Sequence, residues 1–279
     1  MSGQDYEPSA RRNQRKNTLE DISVNLLAHM LSYMDLREAW QTIRLLNKGM
    51  HAKFNTIWGK LDDLNLSETL NDPNQFNFDE EFYNELYCTP LNGVSLDLTV
   101  KNPPPNDSGN SGAFGGRSRE VSLEDLKSFS LLRYGELDDT KRISLRVNLS
   151  EIQSKDTLFS EIKLQLKHLE RCDKLENLEV EVFNESEDSN SGSRGFGGGM
   201  FGGGRSDNNE ISLYSFPELN NFKFKVTSDL SSLPGFLKFL PRSESLKKLN
   251  LSFKHSGVPQ VFKDSIAPCL TANKAHLQV

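Results

Sequence analysis

The sequence predicts an α/β fold in which a short three-helix unit precedes an irregular array of repeats with a parallel sheet. Two patterns carry this prediction. Apolar residues recur at helical spacing between residues 18 and 61, and short strands with alternating apolar and polar residues return along residues 62–279. Residues 1–17 are polar with a basic cluster, so we expect a disordered tail there, with a nuclear-import signal as the alternative.

The composition bounds the class of protein. The 279 residues suffice for one large or two smaller domains. A formal net charge of −6 makes nucleic-acid binding an unfavoured function, because such binding depends on Lys and Arg neutralising phosphates. There is no run of 18 apolar residues and no apolar N-terminal stretch, so we expect no membrane span and no secretory signal. Three widely separated cysteines fit a reducing compartment, and we expect the cytoplasm or the nucleus.

Three helices are predicted in the N-terminal unit. In the first, one apolar stripe is formed by Ile22, Leu26, Leu27, Met30, Leu31 and Met34, and Asp21 or Ser23 can cap its start. Asp35 followed by Glu38 indicates the start of a second helix. A third is expected from Asn47 onward, with apolar residues through Leu61 on one face. So small a unit cannot hold much core, so it should depend on the repeats, on a partner, or on both.

Residues 22–40, ISVNLLAHMLSYMDLREAW, resemble an F-box, whose motif runs apolar–Pro–x–acid–Leu–Leu–x–x–Ile–Leu–x–Tyr–Leu before a second helix. Residues 46–50 and 57–58 are similar to the motif's later pieces. Ser23 replaces the usual Pro and Met50 the usual Trp. The alternative is an unrelated three-helix cap on a repeat domain. The resemblance implies docking to a Skp1-like adaptor protein through apolar anchors, here Ile22, Leu26, Leu27, Met30, Leu31 and Leu36.

The pattern of residues 62–279 predicts a series of repeats. Six segments alternate with period two: 64–66, 96–100, 143–147, 178–182, 222–226 and 249–253. Residues 172–180 resemble the Cys-x-x-Leu-x-x-Leu-x-Leu turn and strand of the leucine-rich repeats that accompany F-boxes. Two Gly-rich segments, near 102–119 and 185–208, lengthen the intervals between successive strand segments. We interpret them as flexible insertions. Residues 276–279 look like a further strand.

The resemblance to an F-box protein with degenerate leucine-rich repeats implies a non-enzymatic function. The protein would recruit an unknown protein substrate to a Skp1–cullin ubiquitin ligase. We expect no catalytic, cofactor-binding or metal-binding residues, since the five histidines are scattered and no Gly-x-Ser-x-Gly elbow occurs. One alternative is a leucine-rich-repeat scaffold with no ubiquitin role. A third hypothesis is an RNA-associated protein that acts through its Gly/Arg-rich loops.

The predicted substrate-binding residues are charged and point away from the core of the sheet: Arg146, Glu181, Lys223, Lys225 and Lys254. If the strands stack in chain order, Arg146, Glu181 and Lys225 form a row of alternating charge. Such a row is either a self-neutralising ladder or part of a recognition surface. In the second case the three lysines would leave a basic edge suited to an acidic or phosphorylated peptide.

Overall fold

A computed structural model describes residues 21–46, 48–54, 56–57, 60–72, 80–101, 121–150, 152, 155–184, 216–228 and 245–253. Four of the predicted segments lie outside these residues: the tail at 1–17, both Gly-rich insertions and the strand at 276–279.

The described chain begins with three helices, and helices and parallel strands alternate in its middle part, so the α/β class is confirmed. Its α-helices are α1 (Val24–Leu31), α2 (Leu36–Leu46), α3 (Lys48–Phe54), α4 (Glu80–Tyr87), α5 (Lys127–Tyr134) and α6 (Lys155–His168). Its strands are β1 (Asp63–Leu70), β2 (Gly93–Val100), β3 (Arg142–Asn148), β4 (Asn177–Phe183), β5 (Asn221–Val226) and β6 (Lys248–Phe253). Each of the six predicted strand segments lies within one of these strands.

The six strands form one parallel sheet in the order β1 to β6, so that each strand pairs with its neighbours along the chain. The register aligns apolar residues across the sheet. One such row consists of Leu66, Leu96, Leu145, Val180, Phe224 and Leu251. Alternate residues therefore point to opposite faces, as period-two patterning requires.

The apolar face of the sheet packs into the core. From β1 to β5 its side chains are buried, and so are the inward residues of α4, α5 and α6. In α6 the predicted apolar positions Leu158, Ile162 and Leu166 are all in this core. The opposite face, which we call the open face, carries mainly polar side chains, most of which are half-exposed or exposed; Asn148 is buried.

The predicted caps of the first two helices are confirmed. Ser23 Oγ accepts a hydrogen bond from the Leu26 N–H at 3.2 Å, and Asp35 Oδ1 accepts bonds from the N–H groups of Arg37 and Glu38 at 2.9 and 3.0 Å. Both side chains thereby satisfy N–H groups that lack partners within the helix. The third helix, α3, ends at Phe54 and is therefore shorter than the predicted helix, whose apolar face extended to Leu61.

The N-terminal helices cover the outer edge of β1. The Asp35 carboxylate accepts the Ser67 N–H, and Arg37 Nε donates to the Ser67 carbonyl at 2.8 Å. Asn65 Nδ2 donates to the Ser32 carbonyl at 2.6 Å. These groups occupy hydrogen-bonding positions that another strand would otherwise take, which protects an edge prone to aggregation.

Candidate protein-interaction site

Helix α1 and the turn after it carry a group of exposed apolar side chains. Six large hydrophobic residues are exposed in the described part of the chain, and four of them fall within nine positions. These four are Leu26, Met30, Tyr33 and Met34, with exposed fractions of 50, 43, 77 and 45%. We call them the α1 patch. Exposed large apolar side chains grouped in this way are typical of a protein-interaction site.

The predicted adaptor anchors divide between this patch and the core. Leu26 and Met30 belong to the α1 patch, and Ile22 is half-buried. Leu27, Leu31 and Leu36 are buried, with at most 3% of their surface exposed. These three pack inside the molecule, so a docking surface must exclude them. Tyr33 and Met34 were not among the predicted anchors, although Met34 lies on the predicted stripe.

A buried polar network joins α2 to the sheet and to the helices behind it. The guanidinium of Arg37 lies 3.9 Å from the Glu68 carboxylate and donates to the Tyr83 hydroxyl at 3.0 Å. Glu68 also accepts hydrogen bonds from the N–H, at 2.8 Å, and the hydroxyl of Ser128. Burial, together with the nearby Glu68 carboxylate, raises the pKa of Tyr83 to about 12. The network links α2, β1, α4 and α5, and so fixes the α1 patch relative to the sheet.

Charged side chains on the open face form a ladder across the strands. Arg146 Nη1 lies 2.8 Å from Asp97 Oδ2, and its Nε lies 3.2 Å from Glu181 Oε2. Lys225 Nζ is 2.5 Å from the other oxygen of Glu181. Burial alone would raise the pKa of Glu181, but the hydrogen bonds and charges of Lys225 and Arg146 outweigh it and lower the pKa. The four residues therefore neutralise one another.

The predicted substrate-binding residues mostly belong to this ladder. Lys223 forms a further ion pair with Glu179, in the neighbouring row. Lys223 and Lys225 both contact a carboxylate, so at these two positions the structure has the paired charges of a ladder. A role of these residues in substrate binding stays a prediction. Lys254 lies outside the described residues.

Beside the ladder, a groove of about 490 Å³ crosses the first five strands near their amino ends. Its lining includes uncharged polar side chains: Asn65, Ser95, Ser144, Asn177 and Asn221. Ser32 and Tyr33 form the end of the groove next to β1. The groove therefore begins where the α1 patch ends.

A glycine shapes the floor of this groove. Arg142 Nη2 lies 2.8 Å from the carboxylate of Asp63, and the pair spans β2 at Gly93. A Cβ at this position would lie 2.3 Å from Asp63 Oδ1 and 3.3 Å from Arg142 Nε. The absence of a side chain at Gly93 thus lets the ion pair lie flat against the sheet.

The described residues contain no group of three or more His, Cys, Asp or Glu side chains able to hold a metal ion. Cys172 is buried, and burial raises the pKa of its thiol to about 11, which disfavours the reactive thiolate. No helix in the described ranges is long and apolar enough to cross a membrane.

Comparison with protein-family models, with curated proteins and with solved structures finds no match to this chain.

Proposed function

We propose that this protein is an F-box protein with degenerate leucine-rich repeats. In this role it recruits a target protein to a Skp1–cullin ubiquitin ligase and performs no covalent chemistry itself. The N-terminal helices would bind a Skp1-like adaptor, and the repeat sheet would hold the target. The protein would work in the cytoplasm, the nucleus or both.

The α1 patch is the observation that carries the proposal. Its four exposed apolar side chains lie in the segment that resembles the F-box motif: Leu26 and Met30 on α1, whose opposite side is packed into the core, and Tyr33 and Met34 in the turn after it. A helix that presents apolar side chains at positions i and i+4 suits docking into a groove on a partner. Leu26 and Met30 have this spacing, and Tyr33 and Met34 extend the apolar surface beyond the end of the helix.

The buried network gives the proposal a second support. Recruitment requires that one partner be held at a fixed position relative to the other. The bonds of Asp35 and Arg37 to β1, and the contact of Arg37 with Glu68, tie the helical unit to the sheet. An adaptor on the α1 patch and a target on the open face would then keep a constant separation.

Titration of a purified Skp1-like adaptor against the full chain tests the proposal. Replacing Leu26 and Met30 with Asp should abolish binding, because two charges would be desolvated in an apolar contact. Both side chains are exposed, so the variant should stay folded. Leu27 is unsuitable for this test, because Asp at this buried position would unfold the unit. The matched control is Leu164→Asp, an exposed leucine on α6, which should bind normally.

A scaffold that uses its sheet without any ubiquitin ligase is the alternative function. A scaffold of this kind would use the same sheet and open face, but no adaptor would bind the α1 patch. If the unaltered protein binds no Skp1-like adaptor at micromolar concentration, the scaffold function replaces the proposed one. The RNA hypothesis rests on Gly/Arg-rich segments that lie outside the described residues.

A further inference from the structure

The side chains that line the groove on the open face indicate the kind of ligand that the groove suits. Four side chains that line it have no hydrogen-bond partner within the described part of the chain: Ser95, Ser144, Asn177 and Asn221. All four are half-buried, and they come from four successive strands. Asparagine offers both an amide donor and a carbonyl acceptor, and serine offers a hydroxyl that does both. Together they form an uncharged hydrogen-bonding surface.

The charges that border the groove are already neutralised. Arg142 is paired with Asp63, and Glu179 is paired with Lys223. A phosphate or carboxylate ligand would have to take a cation from its partner and would leave an uncompensated carboxylate beside itself. Charge complementarity therefore favours an uncharged ligand over an acidic one.

The length of the groove fits a short extended peptide. Strands in a sheet are spaced by about 4.8 Å, so a groove that crosses five strands spans roughly 19 Å, the length of about six extended residues. A peptide that crosses the strands cannot join their hydrogen-bond ladder. Its peptide groups would instead bond to the side chains of the lining, and those of Asn177 and Asn221 can bond to either an N–H or a C=O group.

We propose that this groove binds an extended, uncharged peptide segment of about six residues, held through its main chain by the Ser and Asn side chains of the lining. Naming the segment as part of the recruited target rests on the proposed function. The binding itself does not, because the groove belongs to the sheet and needs no adaptor. The acidic or phosphorylated peptide was one of two alternatives that the sequence left open for this face, and the uncharged segment is proposed in its place.

The test uses the full chain, immobilised without adaptor, and four ten-residue peptide libraries. One library is uncharged and rich in Ser, Asn, Gln and Pro; the others are acidic, phosphoserine-containing and basic. The uncharged library should give the tightest binders. Its best member should bind about fivefold more weakly to Asn177→Asp and to Asn221→Asp, since each change removes an amide donor worth about one hydrogen bond.

Asn84→Asp is the matched control, because it adds the same charge to an exposed position on α4. It should leave peptide affinity unchanged. Tyr33 is not varied, because it belongs both to the groove and to the α1 patch. Three results would overturn the proposal: tightest binding by the acidic, the phosphoserine or the basic library, an equal loss in Asn84→Asp, or full affinity in the double variant Asn177→Asp/Asn221→Asp. Since no adaptor is present, none of these results bears on adaptor binding.

Discussion

Replacing Arg37 with Met should destabilise the N-terminal helices selectively. The Arg37 side chain is 4% exposed and the Glu68 side chain 7%, so the change leaves a buried carboxylate without its guanidinium. It also removes the bonds from Arg37 to the Ser67 carbonyl and to Tyr83. Removal of one partner from a buried ion pair costs about 3–5 kcal/mol, a large share of the 5–15 kcal/mol by which a domain is typically stable.

Denaturant unfolding followed by two probes measures this effect. Both tryptophans, Trp40 and Trp58, lie in the N-terminal unit, so their fluorescence reports that unit, whereas circular dichroism reports the whole chain. The two transitions should coincide in the unaltered protein. In Arg37→Met the fluorescence transition should move to lower denaturant, ahead of the dichroism.

The matched control is Arg133→Met, which breaks an exposed pair with Glu124. Its side chains are 41 and 59% exposed, and such a pair contributes at most about 1 kcal/mol. A loss below 1 kcal/mol in Arg37→Met, equal to that of the control, would refute the role given to the buried network.

Three further predictions concern the sheet and its core. Reversing Lys223 and Lys225 to Glu should lower the free energy of unfolding by about 1–2 kcal/mol, since two ion pairs worth about 0.2–1 kcal/mol each become repulsive. The control Lys247→Glu, at an exposed position beside β6, should leave the free energy of unfolding unchanged. Native Cys172 should react with iodoacetamide at pH 8 far more slowly than the exposed Cys88, and equal rates in peptide mapping would contradict its burial. Stability should fall as pH rises from 10 through 12, because burial raises the pKa of both Tyr83 and Tyr87 to about 12 and the fold favours their neutral forms. Tyr83→Phe should reduce that slope, and Tyr87 should supply the remainder.

The elements of the fold were predictable where the pattern is local. Alternation within single segments predicts all six strands, and Ser23 and Asp35 are recognisable as caps from their immediate neighbours. The helices α4 and α5 were not predicted. Each has only eight residues, and neither was recognised from its apolar spacing, although α1 has the same length.

The candidate sites depend on packing, which is less accessible to sequence. Leu26 and Leu27 are neighbours on one apolar stripe, yet one is half-exposed and the other buried, because only the arrangement of α1 against the rest of the molecule selects the inner side. Glu68 and Ser128 are 60 residues apart, so the sequence around either residue does not predict their contact. The alignment of Ser144 with Glu179, and of Asn177 with Asn221, follows from the strand register.

Affinity purification of the full chain from cells, with mass spectrometry of the captured proteins, measures whether the protein joins a Skp1–cullin ligase. The unaltered protein and the double variant Asn177→Asp/Asn221→Asp should both capture a Skp1-like adaptor together with a cullin. The double variant Leu26→Asp/Met30→Asp should remain folded and capture neither. If the unaltered chain captures other proteins but no Skp1-like adaptor, the proposed function in a Skp1–cullin ligase is contradicted.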